Sequence, residues 1–100
     1  MKPVTLHPEA EQELERASDY YDSQRPGLGA DFEAEAEQSL QRVAQMPAAF
    51  PPHGSAGVRK CLLPRFPYTI YFVELDDRIW VAAVSHQKRR PGYWASRTPS

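Results

Sequence analysis

The sequence predicts a small α+β domain with the element order β-α-α-β-β-β, in which an antiparallel helical hairpin packs on one face of a twisted, mainly antiparallel sheet. Two observations predict this fold. The first half contains two stretches with apolar residues at helical spacing, separated by a turn rich in proline and glycine. The second half contains three apolar, strand-like runs. A chain of 100 residues makes one domain, which we expect to span residues 1–96, with residues 97–100 as a flexible tail.

The first strand is predicted at Val4–Leu6, and a helix is predicted to follow from about Pro8 to Asp22. Proline favours the first helical position because its missing N–H would have no intrahelical partner there. Four apolar side chains recur at i, i+4, i+7 and i+11 and therefore lie on one face of this helix. They are Ala10, Leu14, Ala17 and Tyr21.

A second helix is predicted at about Gly29–Gln45, after a turn over residues 23–29. Its apolar side chains also share one face, at i, i+4, i+8 and i+11. They are Phe32, Ala36, Leu40 and Val43. Two amphipathic helices joined by a short turn form an antiparallel hairpin, which must bury its apolar stripe against another element.

Three strands are predicted after a proline-, alanine- and glycine-rich loop over residues 46–57. They span about Val58–Leu63, Tyr68–Leu75 and Arg78–His86. The last two are separated by a two-residue connection, which favours a hairpin.

The last strand is expected to lie in the middle of the sheet. Strict alternation divides its side chains into two sets that face opposite sides. One set is Ile79, Val81 and Ala83, and the other is Arg78, Trp80, Ala82 and Val84. Both sets are fairly apolar, as expected of a strand covered on both faces. We expect one sheet face to pack on the helices and the other to stay partly open, as a groove or a partner surface.

Charge is divided unevenly along the chain. The formal net charge is −1, but the first fifty residues carry ten acidic and four basic side chains, whereas the last fifty carry three acidic and eight basic ones. A near-neutral protein therefore has an acidic helical half and a basic strand-rich half.

The sequence predicts a soluble, cytoplasmic protein without a membrane segment. No apolar stretch approaches the roughly 20 residues needed to cross a bilayer, and the first six residues lack the apolar core of a signal peptide. Cys61 lies in an apolar run, which favours a small buried side chain over a reactive thiol. One cysteine and three scattered histidines give no metal-ligand spacing, and we expect no cofactor.

The chain resembles the RelE/ParE-family toxins of type II toxin–antitoxin modules. No single matching segment is a strong motif, but together the segments cover most of the chain in the family's order. They are Pro8–Leu14, Tyr20–Phe32, Phe66–Phe72 and Val84–Trp94. The element order derived from the residues agrees with the fold that this resemblance implies.

The resemblance implies a growth-inhibiting toxin that a cognate antitoxin, ParD-like or RelB-like, keeps silent by folding a disordered segment over it. ParE-like members, known from plasmid stabilisation systems, poison DNA gyrase, whereas RelE-like members cut mRNA on the ribosome without a metal. The shared fold does not decide between these targets. We favour the gyrase branch because a net charge of −1 and an acidic hairpin suit a polyanionic ribosomal site poorly.

Two further functions stay open. The chain could be an inactive toxin-fold protein that serves as an interaction module. It could also be a small nucleic-acid-binding α+β domain unrelated to toxins. A short antitoxin gene with a DNA-binding N-terminal part, next to the gene for this chain, would separate a toxin from the second alternative.

Candidate site residues concentrate in the basic half of the chain. A metal-independent ribonuclease needs a base, a cation at the scissile phosphate and an acid. The nuclease candidates are Lys60 or His86 as the base, Arg59, Arg65, Arg89 and Arg90 as phosphate ligands, and Tyr93 to stack on a base or orient it. The candidates for binding a target protein are Arg59, Arg89, Arg90 and Trp94.

Each candidate also has a structural interpretation. Arg59 and Lys60 are adjacent in a strand, so they point to opposite faces and cannot line one pocket without a bulge. His86 could make a structural hydrogen bond at a strand end. Tyr93 and Trp94 could cover the core with their large apolar rings.

Overall fold

The structure, a computed structural model, describes residues 1–54 and 56–99. Its elements follow the predicted order. They are β1 (Val4–Leu6), α1 (Pro8–Gln24), α2 (Leu28–Gln45), β2 (Val58–Leu62), β3 (Tyr68–Glu74) and β4 (Ile79–His86). There are also two short 3₁₀ turns. One follows α2 at Pro47–Ala49, and the other lies near the C-terminus at Ala95–Arg97. The α+β class and the element order are confirmed.

One four-stranded sheet forms with the order β1-β4-β3-β2. The pairs β2–β3 and β3–β4 are antiparallel, and the short β1 lies parallel to β4. The prediction of a mainly antiparallel sheet is therefore confirmed, with one parallel pair at the edge. The central position predicted for the last strand is also confirmed, because β4 has a neighbour on each side.

The two helices approach each other closely at Gly29. Its backbone N–H donates a 2.8 Å hydrogen bond to Oδ1 of Asp22, and a Cβ at this position would lie 2.5 Å from the carbonyl oxygen of Ser18. Only glycine fits a backbone approach this close, so the hairpin geometry depends on it.

The main core lies between the helical hairpin and the sheet. It contains the apolar stripe of each helix and the helix-facing side chains of the strands. Its fully buried members include Ala10, Phe32, Ala36, Val43, Ile70, Phe72, Ile79 and Val81. Cys61 is buried in the same core, as predicted, and is a free thiol.

A bulge in β4 changes the predicted alternation. Tyr71 pairs with Ala83, but the next residue, Phe72, pairs with Val81, so Ala82 is an extra residue on β4. Val84 therefore joins the helix-side core, whereas Ala83 packs on the opposite face. The predicted sets were wrong for these two residues because strict alternation assumes an uninterrupted ladder.

The outer sheet face was predicted to be partly open, but the C-terminal segment covers part of it. Trp94 is only 5% exposed and stacks on Tyr71, with ring centroids 4.5 Å apart. His53 packs against both rings, at 5.0 and 5.7 Å. This second, smaller cluster also buries Val58. The structural interpretation of Trp94, as a large apolar ring that covers the core, agrees with this packing.

The expected flexible tail begins at residue 97, at the end of the last 3₁₀ turn. Arg97 ends the last 3₁₀ turn, and its carbonyl oxygen accepts a 2.8 Å hydrogen bond from Nε1 of Trp80. Thr98 closes the turn through its hydroxyl, which donates to the carbonyl of Ala95. The last residue of the expected tail, Ser100, lies outside the described residues. In the parts of the chain that the structure describes, no helix is long and apolar enough to cross a membrane.

Candidate functional site

The edge of β4 loses its strand partner halfway along its length. The pairing with β1 ends at Val81, whose carbonyl accepts from the backbone N–H of His7. Beyond this point two side chains replace the missing strand. Oε1 of Glu13 accepts from the N–H of Val84 at 3.0 Å, and Nη1 of Arg97 donates to the carbonyl of Ala82 at 3.2 Å. The Glu13–Arg97 ion pair thereby supplies hydrogen-bond partners for backbone groups at this edge of the sheet.

We call Glu13, Arg89, Tyr93 and Arg97 the Glu13 cluster. Oε1 of Glu13 also accepts from Nη1 of Arg97 at 3.1 Å, and Oε2 accepts from the hydroxyl of Tyr93 at 2.6 Å. Nη1 of Arg89 lies 3.6 Å from Oε2. The side chains of Glu13 and Arg97 are 6% and 10% exposed, so this is a buried ion pair with additional hydrogen bonds.

The ring of Tyr93 lies between two guanidinium groups. The guanidinium carbon of Arg89 is 3.9 Å from the ring centroid, and that of Arg97 is 5.0 Å away. Burial, followed by the hydrogen bond to the Glu13 carboxylate, raises the pKa of Tyr93 to about 12. At neutral pH the phenol is therefore a proton donor, engaged inside the fold, rather than a base.

A cleft opens beside this cluster, between α1 and the end of β4. It is lined by Glu13, Arg16, Ala17, Tyr68, Val84, His86 and Arg89. The imidazole of His86 meets the ring of Tyr68 edge-on at 5.1 Å, and its Nδ1 accepts a 3.0 Å hydrogen bond from the backbone N–H of Lys88. Burial, the largest cause, and the nearby ionisable groups raise the pKa of Tyr68.

The β4 bulge places His86 in this cleft. Side chains two residues apart in a strand share a face, so His86 follows Val84 onto the helix side of the sheet. With strict alternation, both would face the outer side.

Arg65 and Arg59 are held by other parts of the fold. Nε of Arg65 donates to Oε1 of Glu35 and its backbone N–H donates to Oε2, both at 2.8 Å. Burial would raise the pKa of Glu35, but the hydrogen bonds from Arg65 outweigh it and lower the pKa. Nη1 of Arg59 donates to the carbonyl of Phe50 at 2.6 Å.

Lys60 lies on the outer face, opposite Tyr71 in the register, whereas the neighbouring Arg59 pairs with Phe72 of the helix-side core. The opposite orientations expected for these two residues agree with this register. Trp94 lies buried beside Tyr71, and Arg90 is exposed in the turn after β4.

The structure therefore brings together His86, Arg89 and Tyr93, and it keeps Lys60, Arg65 and Trp94 apart from them. Among residues 1–54 and 56–99, no three histidine, cysteine or carboxylate side chains cluster in a way that could hold a metal ion.

Sequence reasoning missed Glu13, Arg16 and Arg97. A signal for Glu13 was present, because it lies three residues after Ala10 and four before Ala17, inside the apolar stripe of α1. A carboxylate at such a position must be buried and requires a partner. No comparable local signal marks Arg97, whose partners are 84 and 15 residues away in the sequence.

Comparison with known proteins supports the toxin resemblance. The family model described as "ParE toxin of type II toxin-antitoxin system, parDE" matches residues 4–91. A solved structure titled "Chromosomal ParDE TA system from P. aeruginosa" superposes with a TM-score of 0.77 at 18% sequence identity. The similarity covers 86% of this chain and 96% of that one, and at this identity it shows the fold. The comparison with curated proteins found no match.

Proposed function

The chain belongs to the ParE toxin family of type II toxin–antitoxin systems, and we propose that it arrests growth in the cytoplasm by poisoning DNA gyrase until a cognate antitoxin neutralises it. The choice of gyrase rests on one observation. Several of the nuclease candidates are already bound to other groups within the fold. The guanidinium of Arg65 binds Glu35, and the hydroxyl of Tyr93 binds Glu13. Lys60 lies on the other face of the sheet from His86.

Metal-independent RNA cleavage requires a base, a phosphate-binding cation and an acid around one scissile bond. Of the candidates for these roles, Lys60 and Arg65 lie apart from the cleft that holds His86 and Arg89. The hydroxyl of Tyr93 donates to the carboxylate of Glu13 at 2.6 Å, so it is not free to act as the acid. The geometry therefore favours a toxin that acts by binding a protein.

The charge distribution supports the same choice. Ribosome binding draws on many contacts between cationic side chains and phosphates. Here the net charge is −1, and most of the carboxylates lie on the helical hairpin. A protein surface such as that of gyrase imposes no requirement for a polyanion-binding face.

One observation favours the alternative, a RelE-like mRNA endonuclease. His86, Arg16 and Arg89 line the same cleft, which places an imidazole near two guanidinium groups. If the chain were a nuclease, this cleft would be its active site. An inactive toxin fold that serves only to bind a partner remains the third hypothesis, and it predicts no growth arrest.

Purified components test the proposal directly. The chain should inhibit DNA supercoiling by gyrase and stabilise the cleaved gyrase–DNA complex, and it should leave a ribosomal translation reaction unaffected. The antitoxin encoded next to the toxin gene should reverse both effects on gyrase. Inhibited translation with cleaved mRNA, and active gyrase, would replace the proposal with the nuclease alternative.

A further inference from the structure

The cleft between α1 and the end of β4 has an excess of positive charge. Two guanidinium groups, those of Arg16 and Arg89, and one carboxylate, that of Glu13, line it together with His86. The carboxylate is already compensated, because it accepts hydrogen bonds from Arg97, Tyr93 and the N–H of Val84. Its charge therefore does little to neutralise the two arginines of the cleft.

Both arginines are placed to bind an additional anion. Arg89 reaches the carboxylate of Glu13 only at 3.6 Å, and its side chain is 50% exposed. Arg16 is exposed and donates a 2.8 Å hydrogen bond to the neutral amide of Gln12. A guanidinium group offers a planar set of donors that matches the two oxygens of a carboxylate.

The rest of the cleft is apolar. Ala17 and Val84 contribute methyl groups, and Tyr68 contributes a half-buried ring. A ligand with an anionic end and a short apolar stem matches this combination of surfaces. The side chains of glutamate and aspartate have this form, and neighbouring apolar residues of the same peptide could contact the cleft walls.

We propose that this cleft binds a glutamate or aspartate side chain of the antitoxin, as the anchor of the antitoxin segment that covers the toxin. The inference rests on the proposed function, because it names the antitoxin as the partner. It adds the recognition chemistry, which is a carboxylate held by Arg16 and Arg89 next to His86.

Electrostatics favours a single carboxylate over a nucleic-acid strand. The helix that carries Arg16 also exposes several carboxylates outside the cleft, of which Glu9 is paired with Arg97 at 3.2 Å. They are Glu9, Glu11, Glu15 and Asp19. Over a screening distance of about 8 Å at physiological salt, they would repel the successive phosphates of a polyanion. One side chain that enters the cleft between Arg16 and Arg89 presents only one charge.

Affinity for the antitoxin tests this inference. Arg16→Gln removes the charge of an exposed side chain and should leave the fold intact. We expect it to weaken binding by about tenfold or more, the loss of one charge-assisted hydrogen bond. Arg25→Gln, an equal charge change at the far end of α1, is the matched control and should bind like the wild type. Equal affinities of Arg16→Gln and the wild type would overturn the inference.

A double-mutant cycle identifies the partner carboxylate. Each glutamate and aspartate of the antitoxin is changed to its amide, in combination with wild-type toxin and with Arg16→Gln. One antitoxin residue should lose affinity only when Arg16 is present, which shows direct coupling. Additive effects at every position would contradict the inference while leaving antitoxin binding, and thus the proposed function, intact. An antitoxin that fails to bind the wild-type toxin would instead contradict the proposed function.

A hexathymidylate oligonucleotide tests the competing ligand. Its titration into the wild-type chain, followed by NMR, should leave the side-chain signals of Arg16 and His86 unchanged. Saturable shifts at both residues that are lost in Arg16→Gln would make the cleft a nucleic-acid site and overturn the proposal.

Discussion

The carboxylate of Glu13 accepts a 3.0 Å hydrogen bond from the backbone N–H of Val84, a residue 71 positions later in the sequence. Through this contact a helix side chain occupies the place of a missing strand. The same carboxylate binds Tyr93 and Arg97. Glu13 thus helps to hold the C-terminal segment to the body of the domain, together with the stacking of Trp94 on Tyr71 and the hydrogen bond from Trp80 to Arg97.

Glu13→Gln should destabilise the protein strongly. The substitution keeps the side-chain shape but removes the buried counter-charge of Arg97, which then keeps only its ion pair with the exposed Glu9, at 3.2 Å. Breaking a buried pair in this way costs about 3–5 kcal/mol, and urea unfolding followed by circular dichroism measures it. Glu11→Gln, an exposed change on the same helix, is the control and should cost little. A loss below about 1 kcal/mol for Glu13→Gln would contradict the role of the cluster.

Tyr93→Phe should remove a contribution to the free energy of unfolding that the wild type loses at alkaline pH. The pKa of Tyr93 is raised to about 12 in the fold, above its ordinary value of about 10. A raised pKa stabilises the fold fully below pH 10, and this contribution is lost as the pH rises towards 12. The wild type should therefore lose stability between pH 10 and 12, whereas Tyr93→Phe should be less stable at pH 7 and lose less over that interval.

Unfolding of both proteins at several pH values provides the measurement. At neutral pH the loss of the hydroxyl should cost about 2 kcal/mol, because the hydrogen bond is made to a charged group. Parallel curves for wild type and Tyr93→Phe between pH 10 and 12 would show that the phenol is not held as described.

Glu35→Gln should show the opposite dependence on pH. The hydrogen bonds from Arg65 lower the pKa of Glu35 despite its burial. A lowered pKa contributes stability above the unfolded value of about 4.3, and the contribution is lost as the pH falls through the folded pKa. The variant should therefore unfold at lower urea concentration than the wild type at pH 7, and the difference should shrink in acid. Glu33→Gln on the same helix is exposed and should match the wild type at both pH values.

The two buried acids, Glu13 and Glu35, illustrate what the sequence could and could not predict. The helical spacing of Ala10 and Ala17 predicted the buried face of α1, and Glu13 stood within that face as a charge in need of a partner. The same holds for Glu35, three residues after the buried Phe32. The pattern indicated that a partner was required, but the identity of the partner depends on tertiary packing over a long sequence separation.

The bulge at Ala82 lay beyond sequence reasoning for a related reason. A run of apolar residues such as Val81–Val84 fits either phase of a strand buried on both faces. Only the register with β3 decides which side chains face the helices, and this decision also sets the position of His86.

Arg90→Ala should separate target binding from stability. Arg90 is exposed in the turn after β4, so its loss should change the free energy of unfolding by no more than about 0.5 kcal/mol. If the basic C-terminal turn contacts the target, growth arrest should weaken in cells that express the variant. Lys88→Ala, an exposed cation in the same turn, shows whether general charge or the position of Arg90 matters. Full toxicity of both variants would place the contact surface elsewhere.

The most direct measurement is pulse-labelling of new DNA and new protein in cells that express this chain without its antitoxin. Gyrase poisoning predicts that DNA synthesis stops first, while translation continues. An early stop in translation, with DNA synthesis still active, would contradict the proposal and favour the nuclease alternative, with the cleft around His86 and Arg89 as its candidate site.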